Sequence, residues 1–242
     1  ISGEFVGTVT LSADNGFYWY FPRSTSSFNV SVARSATLTL DPGVIIKKGV
    51  ENDYYNGIGV QGTLIAIGTS AAPITFTSVN DGEGRTPAAG DWNTLNVSSG
   101  GSVNLEFVEM RYGGTWSGSG MISADAGSIL SISNSILEHS QYYGIKSETN
   151  APIILGNTIS NCGNYGLFIY DNGVNDIPLT PEIRDNVINN TPLPVYISAH
   201  NDGLTGERTI TNNSGSGNTY NGIVISGEFV GTVTLSADNG FY

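Results

Sequence analysis

Residues 130–137 read Leu-Ser-Ile-Ser-Asn-Ser-Ile-Leu, and residues 153–160 read Ile-Ile-Leu-Gly-Asn-Thr-Ile-Ser. In the first stretch apolar side chains alternate with small or polar ones, which is the pattern of a strand with one buried face. At an offset of 153 − 130 = 23 the same face recurs: Leu130, Ile132, Asn134 and Ile136 are followed by Ile153, Leu155, Asn157 and Ile159. A further Asn-x-Ile step begins at Asn186. Short strands that repeat with a period in the low twenties predict the turns of a β-solenoid.

The repeated asparagines predict a ladder inside this coil. Asn134, Asn157 and Asn186 occupy matched positions in the three steps. Strands that stack about 4.8 Å apart bring such side chains within hydrogen-bond reach of one another. A lone buried amide without a partner would cost roughly 1–3 kcal/mol. We therefore expect each asparagine amide to donate to the next along the coil axis.

Several further runs carry a resemblance to a known family. Helical periodicity is nearly absent, and turn residues such as Asn-Gly and Asp-Gly separate short apolar strands throughout. The runs at issue, besides the asparagine steps, are residues 36–46, 60–69, 72–78, 90–92 and 110–114. With them the chain resembles the right-handed parallel β-helix repeat proteins of the pectate-lyase-like group, in their surface-protein versions. The resemblance covers most of residues 30–225 and implies an all-β, right-handed parallel β-helix.

The length of the chain then predicts the size of the coil. At a period in the low twenties we expect about nine to ten turns over residues 1–224. Stacked strands place successive turns about 4.8 Å apart, so we expect an axial rise of about 45 Å.

The chain also contains a long exact repeat. Residues 1–18 and residues 225–242 are identical, at an offset of 225 − 1 = 224. We interpret residues 1–224 as one β-helix repeat unit and residues 225–242 as the start of the next. The chain would then be a piece of a longer tandem array whose copies stack without a hinge. A large unit repeated end to end favours reach or mechanical continuity over catalysis.

Aromatic residues cluster at the seam between the copies. Because Phe17, Trp19 and Phe21 alternate along the chain, we expect them to fill the core where copies join. An alternative is that the aromatic clusters, including Tyr143 and Tyr165, form a platform that stacks against sugar rings.

Composition and charge exclude several classes of function. The formal net charge is −12, with 9 Lys and Arg against 21 Asp and Glu. Nucleic-acid phosphates and anionic lipids need clustered basic residues, so neither is an expected partner. No apolar run is long enough to form a transmembrane helix, so we expect no membrane insertion. Cys162 is the single cysteine and is predicted to be a buried core residue. Acidic, lysine-poor surfaces fit an extracellular or cell-surface protein.

No arrangement of residues typical of catalysis is present, so the sequence predicts no catalytic residue and no cofactor. His139 and His200 lie in different local contexts and are interpreted as solvated turn residues. Asp171, Asp176 and Asp202 are the calcium candidates, because they fall in two loops expected to lie side by side. Their spacing matches no known calcium-loop motif. The alternatives are two solvated loops, or contacts between neighbouring fibres.

Four Asn-x-Ser/Thr sequons are candidate glycosylation sites: Asn29, Asn96, Asn189 and Asn212. They matter only where the source organism glycosylates secreted proteins. A chain rich in asparagine, serine and threonine also produces such sequons by chance.

The predicted function is structural. We expect a tandem-repeat unit of an extracellular filament, fibre or cell-surface stalk, whose partner is itself, head to tail and also side by side. The alternative is an adhesin or carbohydrate-binding surface protein that uses the same rod as a spacer. A polysaccharide lyase or hydrolase ranks third, because the paired carboxylates or basic residues that such chemistry needs are not recognisable.

Overall fold

A computed structural model describes residues 1–14, 16, 18–21, 30–49, 57–82, 84–171, 179–205, 209–230 and 238–241; for 200–205, 209, 229 and 230 it describes the backbone alone. These residues form twenty-six β-strands and no helix, so the all-β prediction is confirmed. The described part of the chain accordingly offers no helix that could cross a membrane.

The strands form three sheets. Sheet A consists of β1 (Gly3–Phe5), β4 (Val30–Val32), β7 (Ile58–Val60), β10 (Leu95–Val97), β13 (Gly120–Ala124), β16 (Tyr143–Ser147), β19 (Tyr165–Tyr170), β22 (Leu193–Thr205) and β25 (Ile223–Val230). Sheet B consists of β2 (Thr8–Leu11), β5 (Thr37–Leu40), β8 (Thr63–Ile67), β11 (Ser102–Glu106), β14 (Ile129–Ser133), β17 (Ile153–Leu155), β20 (Glu182–Arg184) and β23 (Thr209–Thr211). Sheet C consists of β3 (Trp19–Phe21), β6 (Ile45–Lys48), β9 (Ile74–Ser78), β12 (Val108–Arg111), β15 (Ile136–Glu138), β18 (Thr158–Ser160), β21 (Val187–Asn189), β24 (Ser214–Gly215) and β26 (Gly240–Phe241).

The connectivity of the sheets is that of a coil. From β1 to β25 the chain visits the three sheets in the fixed order A, B, C, and each new strand pairs in parallel with the strand of the preceding winding. The result is a right-handed parallel β-helix, as predicted. Most of its interior is apolar, because the strands turn mainly apolar side chains inward. One inward column of sheet B runs Leu11, Leu40, Ala66, Leu105, Ile132, Ile154, Ile183 and Ile210.

The predicted number of turns is wrong. Eight strands of sheet A, from β1 to β22, lie within residues 1–224, so 8 − 1 = 7 windings connect them, which gives about seven turns. The eighth winding, from β22 to β25, crosses into the second copy of the repeat.

Corner loops account for the difference. A period in the low twenties holds in sheet A only from Ile122 through Ile145 to Leu167, with steps of 145 − 122 = 23 and 167 − 145 = 22. Other windings are longer: the step from Gly3 to Val30 is 30 − 3 = 27, and the step from Ile58 to Leu95 is 95 − 58 = 37. Extra residues at the corners lengthen a winding without adding a strand, which the count from period alone ignored.

The predicted register between β14 and β17 is also wrong, by one residue. Ser133 lies opposite Leu155, an offset of 155 − 133 = 22 and not 23. Since successive side chains of a strand point to opposite faces, a slip of one residue exchanges the two faces. The inward partner of Ile132 is therefore Ile154, which is fully buried, whereas Ile153 is exposed.

Candidate functional site

The corner between sheets B and C repeats one backbone device in five successive windings. A residue with positive φ ends the strand of sheet B: Phe107, Asn134, Gly156, Asp185 and Asn212, with φ between 49° and 63°. The left-handed conformation turns the chain sharply and favours glycine, asparagine and aspartate. The residue that follows each of them is directed into the coil. Those residues are Val108, Ser135, Asn157, Asn186 and Asn213, all of them buried.

The three inward asparagines form a hydrogen-bonded ladder along the axis. The side-chain amide of Asn157 donates to Oδ1 of Asn186 at 3.0 Å, and that of Asn186 donates to Oδ1 of Asn213 at 2.9 Å. The amide of Asn213 donates in turn to Oδ1 of Asn239 at 2.9 Å. Each of these three oxygens also accepts the backbone N–H of the preceding ladder residue, at 2.9–3.2 Å. The oxygens of Asn186, Asn213 and Asn239 therefore accept two hydrogen bonds each.

The second hydrogen of each amide is satisfied by backbone carbonyls. Asn157 donates to the carbonyl of Ile132 at 3.2 Å, Asn186 to that of Ile154 at 2.9 Å, and Asn213 to that of Ile183 at 2.8 Å. A neutral amide offers two donor hydrogens and one oxygen with two lone pairs, so the sets of Asn186 and Asn213 are complete. These two amides hold the corner of the coil and have no spare capacity for a ligand.

Asn134, predicted as a ladder member, is not one. It occupies the positive-φ column, one residue before the inward position, and its side chain is exposed and donates to Glu106 Oε1 at 3.2 Å. Ser135 takes the inward position, and its backbone N–H donates to Asn157 Oδ1 at 3.0 Å. The sequence reasoning missed Asn213 and Asn239, although Asn213 lies one winding beyond Asn186 in the register of the coil.

A second polar column, which the sequence reasoning also missed, lines the corner between sheets C and A. Its positive-φ residues are Tyr112, His139, Asn161, Asn190 and Gly217. A buried residue follows each of the last four: Ser140, Cys162, Thr191 and Asn218, in that order. The backbone N–H and the hydroxyl of Thr191 both donate to Asn218 Oδ1 at 3.0 Å. Burial raises the pKa of the Cys162 thiol to about 12, so this cysteine is a neutral core residue.

Aromatic side chains form a third column on the outer face of sheet A. The rings of Tyr143, Tyr165 and Tyr196 stack with centroids 5.4 Å apart and planes inclined by 13° and 16°. Phe168 contacts all three rings at centroid distances of 5.3–5.6 Å. The four side chains are half-buried, and both faces of the central Tyr165 ring are stacked against a neighbouring tyrosine.

The predicted junction aromatics are described in part. Trp19 is half-buried, packs against the core, and donates its indole N–H to the carbonyl of Ser12 at 3.1 Å. Phe21 is fully buried, with its ring centroid 6.4 Å from that of Phe5. Phe17 lies outside the described residues.

The structure describes the side chain of only one of the three predicted calcium candidates. Asp171 is buried beside β19, where its backbone N–H donates to the carbonyl of Ser198 at 2.8 Å. Asp202 lies in β22 with its side chain undescribed, and Asp176 lies outside the described residues. Within the part of the chain that the structure describes, no group of three or more His, Cys, Asp or Glu side chains could hold a metal ion.

The candidate glycosylation sites differ in their accessibility. Asn212 is exposed at a corner, with φ of 56°. Asn96 is half-buried, and its amide donates to Ser98 Oγ at 3.3 Å. Asn189 is half-buried, and its Oδ1 accepts the N–H of Ser216 at 2.8 Å. Asn29 lies outside the described residues. Asn212 is thus the most accessible of the three described.

One buried cation lies near the start of the coil. Lys48 is fully buried at the inward end of β6, between Phe21 and Ser78 in the pairing register. Its ammonium donates to the carbonyl of Gly57 at 3.2 Å, and desolvation lowers its pKa to about 7. Ser78 Oγ donates to Asp91 Oδ2 at 2.6 Å in the same region.

The structure describes the side chain of one of the two histidines. His139 stacks on Tyr112, with ring centroids 5.4 Å apart, and the side chain of His200 is not described.

The two ends of sheet A carry the same sequence. Gly3–Phe5 form β1 at one edge, and the identical residues 227–229 lie in β25 at the other edge. β25 pairs in parallel with β22, from Val195 opposite Ile223 to Thr205 opposite Val230, with a bulge between Ala199 and Leu204. The second copy also supplies β26, which pairs with β24, and Asn239, which is the equivalent of Asn15 in the first copy.

These features define the class of the protein as a parallel β-solenoid with internal polar and external aromatic columns. No family model, curated protein or solved structure matches the chain.

Proposed function

We propose that this chain is a structural tandem-repeat unit of an extracellular filament or cell-surface stalk, in which β-helix copies stack end to end. The observation that carries the proposal is the behaviour of the repeated segment. Its strands β25 and β26 add to the sheets as further windings of the same coil, and Asn239 accepts the last hydrogen bond of the ladder. A coil that passes from copy to copy in this way needs no linker and leaves no open sheet edge at the seam.

Hydrogen bonds along the axis supply the mechanical logic. In a parallel coil the backbone hydrogen bonds of each winding are completed by the next winding, so the sheets run the length of the rod. The strand carrying the start of the second copy lies eight steps beyond β1 in sheet A, since 9 − 1 = 8. At about 4.8 Å per step, one copy would lengthen the rod by about 38 Å. This value replaces the rise of about 45 Å expected from the sequence.

The side chains support a structural role over a catalytic one. The buried asparagine amides at the corner between sheets B and C form hydrogen bonds with one another and with the backbone. The resemblance to surface-protein members of the pectate-lyase-like group, together with the net charge of −12, favours an extracellular setting. The extracellular setting is therefore part of the proposal, as the structural role is.

The test is a comparison of proteins that contain one, two and three copies of residues 1–224, each ending in residues 225–242. Small-angle scattering and electron micrographs should give rods that lengthen by about 38 Å per copy at constant cross-section. A matched control inserts a Gly-Ser linker between residues 224 and 225. If the linker-free proteins have the same flexibility and dimensions as the linker controls, continuous stacking is wrong.

Carbohydrate binding is a weaker second candidate. The observation in its favour is the partly exposed row of Tyr143, Tyr165, Phe168 and Tyr196 on sheet A. Sugar rings stack on open aromatic faces, and here the stacked rings cover one another's faces. A glycan array with the wild-type protein, and with Tyr196→Ala as the loss-of-binding control, separates this function from the structural one.

A further inference from the structure

One sequence occupies both edges of sheet A and has a different neighbour at each. At the first edge Gly3, Glu4 and Phe5 lie opposite Val30, Ser31 and Val32 of β4. At the other edge the same sequence, within β25, lies against β22. A strand inside a parallel sheet pairs on both sides. The segment therefore has two complementary edges, one suited to β4 and one suited to β22.

We propose that residues 225–242 of one molecule can replace residues 1–18 of a second molecule on its β4 edge, which joins copies of this chain head to tail by strand exchange. The inference rests on the proposed end-to-end stacking and extends it to separate molecules. The expected register follows from the sequence identity: residues 227–229 take the places of Gly3, Glu4 and Phe5 opposite residues 30–32. The occupant of this edge is a second copy of the chain.

Residues 1–18 cover an apolar edge of the coil. Without them, this edge would carry many unpaired backbone groups. Val30 and Val32 of β4, which pair with Gly3 and Phe5, are fully buried in the core, and Phe5 packs near Phe21. The backbone N–H groups of residues 33, 37 and 41 donate to carbonyls of residues 5, 7 and 11 at 2.8–3.0 Å. Removal of the segment would leave those donors and valines open to water, and an open edge of this kind recruits another strand. In the expected register, the backbone carbonyl of residue 229 of a neighbouring molecule would accept from residue 33, as that of Phe5 does.

The intact chain has a reason to remain single. Its β4 edge is covered by its own β1, and its β22 edge by its own β25. The two outer edges that remain have the same sequence, and both carry an exposed glutamate, Glu4 and Glu228. Edges with like charges oppose each other, and a charge on an edge strand discourages pairing. Strand exchange therefore requires that one copy of the segment be weakened relative to the other.

The test weakens the first copy in the full-length chain. Phe5 is the buried anchor of β1, so Phe5→Asp should release residues 1–18 and let the unaltered segment of another molecule take their place. We expect concentration-dependent oligomers by light scattering, and thin filaments in micrographs. The control is the double variant Phe5→Asp/Phe229→Asp, which has the same lesion in the first copy and no intact segment to donate. It should stay monomeric.

Cysteine pairs in the Phe5→Asp chain test the register. Glu4 lies opposite Ser31, so Glu228→Cys with Ser31→Cys should form disulfide-linked ladders between molecules under mild oxidation. Glu228→Cys with Thr39→Cys is the control, because Thr39 lies opposite Thr10 and not Glu4. Equal cross-linking of the two pairs would mean unspecific aggregation and would overturn the proposal.

Two further results distinguish a failure of strand exchange from a failure of the proposed end-to-end stacking. If Phe5→Asp fails to fold by circular dichroism, the chain lacking residues 1–18 replaces it, with the same cysteine pairs. A folded, monomeric product without cross-links overturns strand exchange. If the multi-copy proteins nevertheless lengthen by about 38 Å per copy, the proposed function stands and only the exchange is wrong. If they do not, the stacking itself is wrong.

Discussion

The side-chain amide of Asn186 lies 2.9 Å from Oδ1 of Asn213, one winding further along the coil, while Oδ1 of Asn186 accepts from both the amide and the backbone N–H of Asn157. The ladder thus couples side chain to main chain at each corner. Because all three residues are buried, water cannot replace a partner that is lost.

Substitution of Asn186 should therefore cost far more than substitution of Asn134. Asn186→Ala leaves the buried backbone N–H of Asn157 and one amide hydrogen unsatisfied, at roughly 1–3 kcal/mol each. We expect the free energy of unfolding to fall by about 3 kcal/mol in urea titrations. Asn134→Gly is the control: the residue is exposed with φ of 50°, which glycine adopts freely, so the change should stay below about 1 kcal/mol. Similar losses at the two sites would contradict the ladder.

Buried Lys48 should give the protein a distinctive dependence on pH. Its folded-state pKa of about 7 lies below the ordinary value of 10.5. Between these values the unfolded chain binds a proton that the folded chain does not, so stability rises as the pH increases from 7 towards 10.5. The penalty is complete below pH 7, and each pKa unit corresponds to about 1.4 kcal/mol. Lys48→Met removes the titrating group.

Thermal unfolding across this pH window measures the effect. The stability difference between Lys48→Met and wild type should be largest below pH 7 and shrink by a few kcal/mol towards pH 10.5. Lys47→Met is the matched control, since Lys47 is only half-buried and donates to the carbonyl of Asp81 at 2.7 Å. A Lys48→Met profile parallel to wild type would argue that the ammonium is solvated in the folded protein.

The single thiol should be silent in the native protein. Cys162 is buried in the second polar column, and its pKa of about 12 keeps it protonated at neutral pH. We expect no reaction with a thiol-specific chromogenic reagent until urea unfolds the chain, after which one thiol per molecule should appear. Ser99→Cys, at an exposed corner, should react at once and shows that the assay works. Fast labelling of the wild type would place Cys162 near the surface.

Sequence reasoning reached the fold but not its register, and the reason lies at one corner. The positive-φ position and the inward position are adjacent, and asparagine suits both: the first for its backbone, the second for its amide. Asn134 fills the first position and Asn157 the second. Matching the two residues gave an offset of 23 where the strands pair at 22. A single sequence does not distinguish the two roles, because the two positions differ in the backbone angle φ and not in residue type.

The length of the windings was hidden for a similar reason. Strand residues are patterned by burial and can be read from the sequence, whereas corner loops have no period. The long step between β7 and β10 contains Asp91, which accepts from Ser78 Oγ at 2.6 Å, and Trp92, whose indole donates to the carbonyl of Arg111 at 2.7 Å. Such contacts, the first within a winding and the second between windings, fix a loop but leave no local signal in the sequence. The second polar column was missed because serine, cysteine, threonine and asparagine share no sequence motif.

Glycines on the inner side of sheet A should resist even one added methyl group. A Cβ at Gly166 would lie 2.4 Å from Ile188 Cγ2 and 2.7 Å from the backbone oxygen of Pro194. Gly166→Ala therefore forces a side chain and a neighbouring strand to move, which typically costs about 1–3 kcal/mol in a packed core. Gly222→Ala is the control, because nothing lies within 4 Å of its Cβ position. Urea unfolding of both variants measures the difference, and equal stability would mean that sheets A and C pack more loosely.

The tyrosine column on sheet A should contribute to stability as a coupled set. Tyr165 stacks between Tyr143 and Tyr196 at 5.4 Å on each side, so Tyr165→Ala removes two ring contacts at once. A double-mutant cycle with Tyr196→Ala should give a coupling energy of about 0.5–1.5 kcal/mol, the usual range for aromatic pairs. Tyr220→Ala provides the control, since Tyr220 is 72% exposed and should show no coupling to Tyr196. Two results together would contradict this stabilising role: strictly additive effects of the Tyr165 and Tyr196 substitutions on stability, and loss of sugar binding in either variant. They would favour the carbohydrate platform instead.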